Sequence, residues 1–543
     1  MTPSDLHLRV TSSLQSSALL GKRHAHSLAV PLLIAALLLF VAYIARLNDV
    51  LHDIFHAMAL AREAINSGHF PQNDPFAFSP TMAPTVHHEW GFGMLAYIVT
   101  ANPWGDALLM SSRFLLIAVM FTCLYRVCRA RGGDPMFFAL GLMIVLPFFW
   151  VGFSTVRAQL LTLVFLSIQL LMIEADWRGG RLWIIAWLLM MLAWLNIHAG
   201  FVVGAAMMGL HGIERCLDVW IKTRTLLGVW QRTWHLVVAA PLAGLLLLVN
   251  PYGVEYISYL AHGLTMPRPL IGEWWPLWTI LNPQQTLFCF AVTLGIVAYC
   301  IRYRQWSRLR GLAFTLFCAI MAYKHVRHGS IYALIWLAYA PAWLSITPLG
   351  ERIRGSLLRN QKQVARFALI TSLASLAFTL WFSGWRPYLP VNAAGQRGDY
   401  PLGAISYLET HHISGRFITD FDSGAYVTWR LYPQVLVSLD GRYEAAFQPG
   451  VLEEHLDFFN GLPNSGEILD RWGAGGILIP AGTKLYQQLH AQNSSTTELE
   501  ISGSRRRWKC VYNDPGTSIW MPSTCSVPVE HDQHLPPPGR YPR

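Results

Sequence analysis

The chain has 543 residues, of which 53% are hydrophobic and only 13% are charged. Soluble globular proteins carry roughly 25% charged residues, so this composition excludes a soluble enzyme, a disordered protein and a fibrous protein. The net charge of +10 would suggest nucleic-acid binding in a soluble protein. Here most Lys and Arg side chains lie in short connections between apolar runs, which indicates membrane topology and not a nucleic-acid partner.

The shortage of charge is confined to the region before about residue 383. A spanning helix needs about 20 apolar residues, and shorter spans are tolerated inside a bundle. The sequence therefore predicts a polytopic α-helical membrane domain over 27–383. Its eleven predicted spans lie near 27–45, 107–126, 136–152, 158–174, 182–196, 200–214, 234–249, 284–301, 311–324, 329–346 and 365–382. The apolar run 91–101 is too short to cross, and we predict a re-entrant or interfacial segment there.

Basic residues are concentrated in alternate connections between these spans. The basic connections contain Arg126, Arg129 and Arg131; Arg178 and Arg181; Arg215, Lys222, Arg224 and Arg232; Arg302, Arg304, Arg308 and Arg310; and Arg352, Arg354, Arg359, Lys362 and Arg366. Because positively charged loops stay in the cytoplasm, residues 1–26 are predicted to be cytoplasmic. With eleven spans the C-terminal tail then lies outside the cytoplasm.

The extracytoplasmic part consists of two long loops, 46–106 and 250–283, and the tail. Strand patterns at 416–420, 435–439, 476–480, 508–513 and 517–522 alternate with helical ones, which favours a small α/β domain over 387–525. Residues 526–543 include three consecutive prolines and are predicted to be disordered. If the tail is extracytoplasmic, Cys510 and Cys525 could form a disulfide.

Polar residues of unusual type collect on the outer side. Asp49, His52, Asp53 and His56 have spacings that place them on one face of a helix. Capping and headgroup contacts explain such residues singly, but here carboxylates, imidazoles and cations share one side, and ionisable groups at membrane depth are costly and usually functional. The other candidates are Asp74, His88, Glu89, Arg157, Asn196, His198, Glu273, Lys324, Arg327 and His328, and the tail adds Asp440 and Arg442.

Carboxylates opposed by cations at a membrane surface suit transfer from a lipid-linked phosphate donor. Asp53 could act as a general base on an acceptor hydroxyl. Arg157, Lys324 or Arg327 could neutralise the phosphate that leaves. Asp53 and His56 could also hold a divalent metal, Mg or Mn, and the sequence leaves the metal requirement open.

Several strings in the chain resemble those of a known family. They are Asp53-Ile-Phe-His56, Gly68-His-Phe-Pro-Gln-Asn-Asp74-Pro-Phe, His88-Glu89-Trp90, Arg157-Ala-Gln159, Asn196-Ile-His198-Ala-Gly200, Asn250-Pro-Tyr-Gly253, Glu273-Trp274 and Leu439-Asp440-Gly441-Arg442. Together with an acidic outer loop after the first span, they resemble the GT-C superfamily of membrane glycosyltransferases, in particular a group of bacterial multi-pass GT-C-like proteins. The resemblance covers roughly residues 30–450, and it implies the inner (plasma) membrane of a bacterium, with the tail in the periplasm.

The resemblance implies a sugar donor linked to polyprenyl phosphate and a catalytic acid in the first outer loop. Asp53 matches that acid best by position, then Asp49, and Glu89 and His88 are the further catalytic candidates. The leading hypothesis is a GT-C-type inverting transferase that moves a sugar from the carrier to an extracytoplasmic acceptor. Two alternatives stay open: a non-catalytic scaffold of an envelope-polysaccharide assembly complex, and a transporter of lipid carriers or polysaccharides. The expected partners are the bilayer and the lipid-linked donor.

Overall fold

A computed structural model describes most of the chain and is the structure used below. The described residues are 28–45, 50–153, 157–268, 271–279, 283–303, 309–381, 388–389, 400–492, 498–532, 534 and 539–540. The first 381 residues contribute helices α1 (Leu28–Ala45), α2 (Asp53–Ser67), α3 (Trp90–Thr100), α4 (Gly105–Ala130), α5 (Pro135–Val145), α6 (Ala158–Trp177), α7 (Trp183–Ile197), α8 (Phe201–Thr223), α9 (Leu226–Leu246), α10 (Glu255–Thr265), α11 (Pro283–Tyr303), α12 (Leu312–Lys324), α13 (Gly329–Ser345), α14 (Pro348–Arg359) and α15 (Gln361–Trp381).

The helical part has the length and composition of a multi-pass membrane protein. Among the described residues, five helices are long and apolar enough to cross a membrane, or six if the bent pair Val326–Ser345 and Pro348–Arg359 forms one span. Shorter apolar helices include Pro135–Trp150 and Trp183–Ile197. The total of eleven spans and their orientation stay predictions.

Helix α13 lies at the centre of the bundle. All 17 of its residues are buried, as expected for a helix that is apolar on every side. Helix α15 is the opposite case, since Ala368 and Ser375 are its only buried residues. Its large apolar side chains, such as Ile370 and Trp381, face outward, where a membrane would cover them.

Two short helices of the first outer loop, α2 and α3, pack closely on each other. Asp53 begins α2, where a negative charge is favourable next to the positive end of the helix dipole. Gly68, with φ of +76°, ends the helix in the left-handed conformation that glycine allows. Gly93 of α3 lies against the backbone of α2, and a Cβ there would be 2.2 Å from the Ala57 carbonyl oxygen.

The tail is an α/β domain, as predicted. Its larger sheet has the order β3-β2-β4-β7-β6-β5, and β8 pairs with β6. The strands β2, β3 and β4 are parallel, and β4, β7, β6 and β5 are antiparallel neighbours. The strands are β2 (Gly415–Ile418), β3 (Val435–Val437), β4 (Gly476–Pro480), β5 (Leu499–Glu500), β6 (Arg507–Asn513), β7 (Thr517–Pro522) and β8 (Glu530–His531), and a separate two-stranded pair joins β1 (Tyr388–Leu389) to β9 (Gly539–Arg540).

Helices of the tail pack on this sheet. They are α16 (Leu402–Thr410), α17 (Gly424–Leu431), α18 (Tyr443–Ala446), α19 (Val451–Phe459), α20 (Glu467–Arg471) and α21 (Lys484–Gln492). Strand β8 lies within 526–543, where the sequence predicts disorder. Cys510 and Cys525 are both free thiols, so the structure does not contain the disulfide that the sequence allows.

The first outer loop joins the tail sheet. Ala77 forms a parallel bridge with Val437, Phe78 donates its N–H to the Val437 carbonyl at 3.1 Å, and Val437 donates to the Phe76 carbonyl at 3.1 Å. Ser79 adds a hydrogen bond to the Ser438 carbonyl. The loop therefore extends the sheet at its β3 edge, and it attaches the tail to the helical domain.

Candidate active site

One cavity of about 550 Å³ lies between the outer helix ends and the tail. Many of the residues that the sequence singles out line it, although they are far apart along the chain. Those that line the cavity are Asp53, His56, His88, Glu89, Arg157, His198, Glu273, Arg327, His328 and Arg442. Asp49, the second-ranked catalytic acid, lies outside the described residues.

Polar and apolar side chains both line the cavity. Helices α8 and α12 supply apolar side chains, among them Val202, Val203, Phe317 and Met321. The tail supplies loops at the carboxyl ends of its parallel strands: Phe421 follows β2, and the segment 441–445 follows β3. Ligand sites of parallel sheets are commonly built at this edge.

Arg157 links two acidic residues that line the cavity. It immediately precedes α6 in an extended conformation, from which Nη2 contacts Asp53 Oδ2 at 2.7 Å and Nη1 contacts Glu273 Oε1 at 2.8 Å. Burial raises the pKa of Asp53, but the Arg157 charge and hydrogen bond more than offset this, so the pKa lies below its usual value. Asp53 is therefore ionised at neutral pH, and its side chain keeps 42% of its exposure.

Two further arginines contact the indole of Trp274. The guanidinium groups of Arg268 and Arg327 each lie 4.4 Å from the ring centroid, a distance that gives cation–π attraction. Arg268 also forms an ion pair with Glu444 of the tail. Within the described part of the chain, Arg327 is the arginine of this cavity that has no carboxylate partner in ion-pair contact.

Glu89 lies between two imidazoles. His88 Nε2 and His198 Nε2 are both 3.6 Å from Glu89 Oε1. The Nδ1 atom of His88 is hydrogen-bonded to the Tyr259 hydroxyl at 2.7 Å. Burial opposes ionisation of Glu89, but His88 and then His198 hold its pKa below its usual value, so Glu89 is an anion at neutral pH.

Arg442 forms a buried ion-pair cluster between the tail and the first outer loop. Its Nη2 contacts Asp440 Oδ2 at 2.7 Å, and its Nη1 contacts Asp74 Oδ2 at 2.5 Å. Asp440 is fully buried, and Arg442 is 4% exposed. Asp74 and Asp440, predicted to bind substrate, do not line the cavity, and their charges are taken up by Arg442.

Two other predicted site residues also lie outside the cavity lining. Asn196 accepts a hydrogen bond from Trp90 Nε1 at 3.1 Å and donates to the Val249 carbonyl at 3.0 Å, so it holds three segments together. Lys324 is the last residue of α12, and its side chain is exposed. His328, by contrast, lines the cavity.

The cavity residues that sequence reasoning missed include Tyr259, Thr162 and Phe421. Tyr259 lies on α10, and the pattern of Tyr256, Tyr259 and Leu260 on one helical face could have indicated it. Thr162 is an ordinary polar residue in an apolar helix. Phe421 is one residue of a loop whose position depends on how the tail docks, so its sequence carries no signal.

A metal ion at this site would need several His, Cys, Asp or Glu side chains that converge on one point. In the ranges that the structure describes, no three His, Cys, Asp or Glu side chains converge in a way that could hold a metal ion. Arg157 bridges the carboxylates of Asp53 and Glu273. A Mg or Mn ion at Asp53 and His56 stays a prediction.

Solved structures with a similar fold exist. An oligosaccharyltransferase from Archaeoglobus fulgidus, tethered with an acceptor peptide, matches with a TM-score of 0.51 and 13% identity over 84% of this chain and 69% of its own. AglB from the same organism, in complex with an inhibitory peptide and a dolichol-phosphate, matches with a TM-score of 0.52, 13% identity and the same coverage. Both are GT-C superfamily membrane glycosyltransferases. The chain has the GT-C fold.

ArnT from Cupriavidus metallidurans, in the apo state, is also similar, with a TM-score of 0.45 and 14% identity over 90% of this chain and 97% of its own. No family model matches the chain, and no curated protein matches it either. The resemblance to GT-C proteins seen in the sequence is confirmed at the level of the fold.

Proposed function

We propose that the protein is a membrane glycosyltransferase that moves a sugar from a polyprenyl-phosphate carrier to an extracytoplasmic acceptor, with inversion at the sugar. The cavity carries this proposal. Its apolar lining residues suit a lipid chain and its charged ones suit a sugar phosphate, so its chemistry matches an amphiphilic donor. A fold neighbour holds a dolichol-phosphate, which supports a lipid phosphate as the ligand.

One arginine of the cavity is available to a phosphate group. Arg157, Arg268 and Arg442 are each neutralised by carboxylates. Among the described cavity residues, Arg327 is the cation that keeps its charge for a ligand. An arginine can bind one phosphate group through two hydrogen bonds, so Arg327 is the residue that we assign to the donor phosphate.

The reaction that these residues support is a single displacement. Asp53 accepts the proton of an acceptor hydroxyl, and the hydroxyl oxygen attacks the anomeric carbon as the bond from that carbon to the phosphate oxygen breaks. Polyprenyl phosphate leaves as an anion, which Arg327 stabilises. Attack opposite to the leaving phosphate inverts the anomeric centre. Arg157 holds Asp53 in place and keeps it ionised.

Binding of the lipid phosphate tests whether Arg327 binds the donor. Wild-type protein in nanodiscs is titrated with polyprenyl phosphate, beside Arg327→Met and, as a control on the tail surface, Arg471→Met. Loss of a charge-assisted contact of about 1.5–3 kcal/mol predicts a 10- to 100-fold weaker Kd for Arg327→Met. Equal affinity for the wild type and Arg327→Met would contradict the assignment.

Glycan and lipid profiles of cells test whether the protein transfers a sugar and whether Asp53 is needed for it. We expect one glycosylated product to be lost without the gene, and to be restored by the wild type but not by Asp53→Asn, since general-base catalysis contributes about 10²- to 10⁴-fold. Asp218→Asn is the matched control, because Asp218 pairs with Lys222 at the end of α8 away from the cavity. A product that persists with normally expressed Asp53→Asn would support a non-catalytic scaffold instead.

A further inference from the structure

His198 has an unusually constrained imidazole. Its Nδ1 atom is 3.0 Å from the backbone nitrogen of Gly200 and 2.8 Å from the Thr162 hydroxyl. Trp194 Nε1 lies 2.8 Å from that same hydroxyl. His198, Thr162 and Trp194 are all buried, so water does not compete for these contacts.

The donors around Nδ1 determine the tautomer of the ring. A backbone N–H can only donate, so Nδ1 must accept from Gly200. An indole N–H also can only donate, so the Thr162 oxygen accepts from Trp194 and its own proton is available to Nδ1. With Nδ1 accepting from two donors, the ring proton of neutral His198 resides on Nε2, the atom that faces Glu89.

The same contacts oppose a second proton on the ring. A proton on Nδ1 would point at the Gly200 N–H. Burial, followed by the effects of the charges around the ring, lowers the pKa of His198 to about 3. The charged or titratable groups that face it are Glu89, which favours the protonated form, and Arg327, His88 and Arg157, which oppose it. His198 is therefore a neutral N–H donor across the physiological pH range.

Both imidazoles contact the same carboxylate oxygen of Glu89. His88 and His198 each contact Oε1, and in the described residues Oε2 makes no hydrogen bond with protein. Catalytic contacts of 3.6 Å in a ligand-free site commonly shorten when substrate binds. His198, close to Arg327 and Arg157, lies beside the cation that we assign to the donor phosphate, where the sugar attached to that phosphate must sit.

We infer that Glu89 binds a hydroxyl of the transferred sugar through Oε2, and that His198, held as its Nε2–H tautomer by Thr162 and Gly200, is the positioning residue that orients Glu89. This inference rests on the proposed function. It assigns to Glu89 the recognition of the sugar and leaves proton transfer to Asp53.

The test compares lipids with and without a sugar. Wild-type protein in nanodiscs is titrated with polyprenyl phosphate, polyprenyl-phosphate-glucose and polyprenyl-phosphate-mannose. We expect Glu89→Gln and His198→Leu to weaken binding of the preferred sugar-bearing lipid by 10-fold or more and to leave bare polyprenyl phosphate unchanged. Arg327→Met weakens both, so a failure of the proposed function itself, with no binding of any lipid phosphate, is distinguishable.

Two variants separate positioning from simple packing. Glutamine places an amide N–H near the position of the imidazole Nε2–H. His198→Gln should therefore retain at least half of the binding free energy that His198→Leu loses. Thr162→Val, which keeps the shape of the side chain, should weaken sugar-bearing lipid by about 3- to 10-fold.

Three outcomes would overturn the inference. They are sugar-bearing lipids that bind no more tightly than bare polyprenyl phosphate, equal losses for bare and sugar-bearing lipids in Glu89→Gln, and a His198→Gln variant no better than His198→Leu. If His198→Leu does not fold, Glu89→Gln and Thr162→Val decide the matter by the same comparison.

Discussion

Replacing Arg442 tests how the tail is held to the helical domain. Methionine has a similar length and no charge, so Arg442→Met removes a buried cation and leaves two acidic side chains, Asp74 and Asp440, without their counter-ion. In the wild type Arg442 contacts both Asp440 oxygens, at distances from 2.7 to 3.1 Å, and one Asp74 oxygen at 2.5 Å. All of these contacts are buried.

The expected destabilisation is large because the charges are out of water. Removing one partner of a buried ion pair costs about 3–5 kcal/mol. In a domain of this size each kcal/mol lowers the unfolding midpoint by about 2–4 °C, so we expect Arg442→Met to lower the midpoint of the tail by about 6–20 °C. Because Asp74 belongs to the first outer loop, the loop should also become more accessible to protease.

The assay is thermal unfolding of the purified full-length protein in detergent, with limited proteolysis as a second readout. Arg471→Met is the matched control, since Arg471 forms an ion pair with Glu454 in which both side chains are exposed, and such pairs contribute about 0–1 kcal/mol. An Arg442→Met midpoint within 2 °C of that of Arg471→Met would refute the reasoning. Adding Asp74→Asn to Arg442→Met should recover part of the loss.

Three other substitutions address the tail, the site and the helix packing. Burial, then a neighbouring carboxylate, raises the pKa of Asp420 to about 6, above the unfolded value of about 3.9, so the folded protein loses stability as the pH rises from 4 to 6. Asp420→Asn should therefore raise the unfolding midpoint at pH 7.5 more than at pH 4. The control Glu453→Gln, at an exposed residue, should show no such difference. Arg157→Lys replaces the planar fork, whose two nitrogens each contact one carboxylate, with a single ammonium that holds Asp53 less firmly, so transfer of sugar should fall about 10- to 100-fold with lipid-phosphate affinity kept. Gly93→Ala would bring a Cβ within 2.2 Å of a carbonyl oxygen of α2 and should lower the yield of folded protein, whereas Gly212→Ala, with open space around it, should not.

The sequence predicts the α/β tail well because its strands are short apolar runs between turn residues. The predicted strands at 435–439, 476–480 and 517–522 differ from the observed ones by at most two residues. The sequence also predicts helices over 450–472 but does not place the break between them, which the structure puts between α19 and α20, where Gly461 has φ of +63° and Pro463 follows. A glycine in the left-handed conformation ends a helix, and apolar spacing alone does not reveal that break.

The candidate site shows a different limit of sequence reasoning. Helical spacing places Asp53 and His56 on one face of α2, and both line the cavity. The same reasoning proposed Asp74 as a substrate ligand, but its carboxylate is paired with Arg442. In the sequence an acid that faces a cavity and an acid that neutralises a distant arginine look alike, because the difference is the identity of a partner hundreds of residues away.

The tail also forms part of the cavity, although the sequence predicts it as a separate domain that begins at residue 387. Phe421, Gly441 and Glu444 line the cavity from the tail side, and Glu444 neutralises Arg268. Without the tail, Arg268 would be a second cation with no carboxylate partner, beside Arg327. The tail therefore determines how much positive charge the cavity presents to a phosphate, so the two parts of the chain must be considered together when the donor is identified.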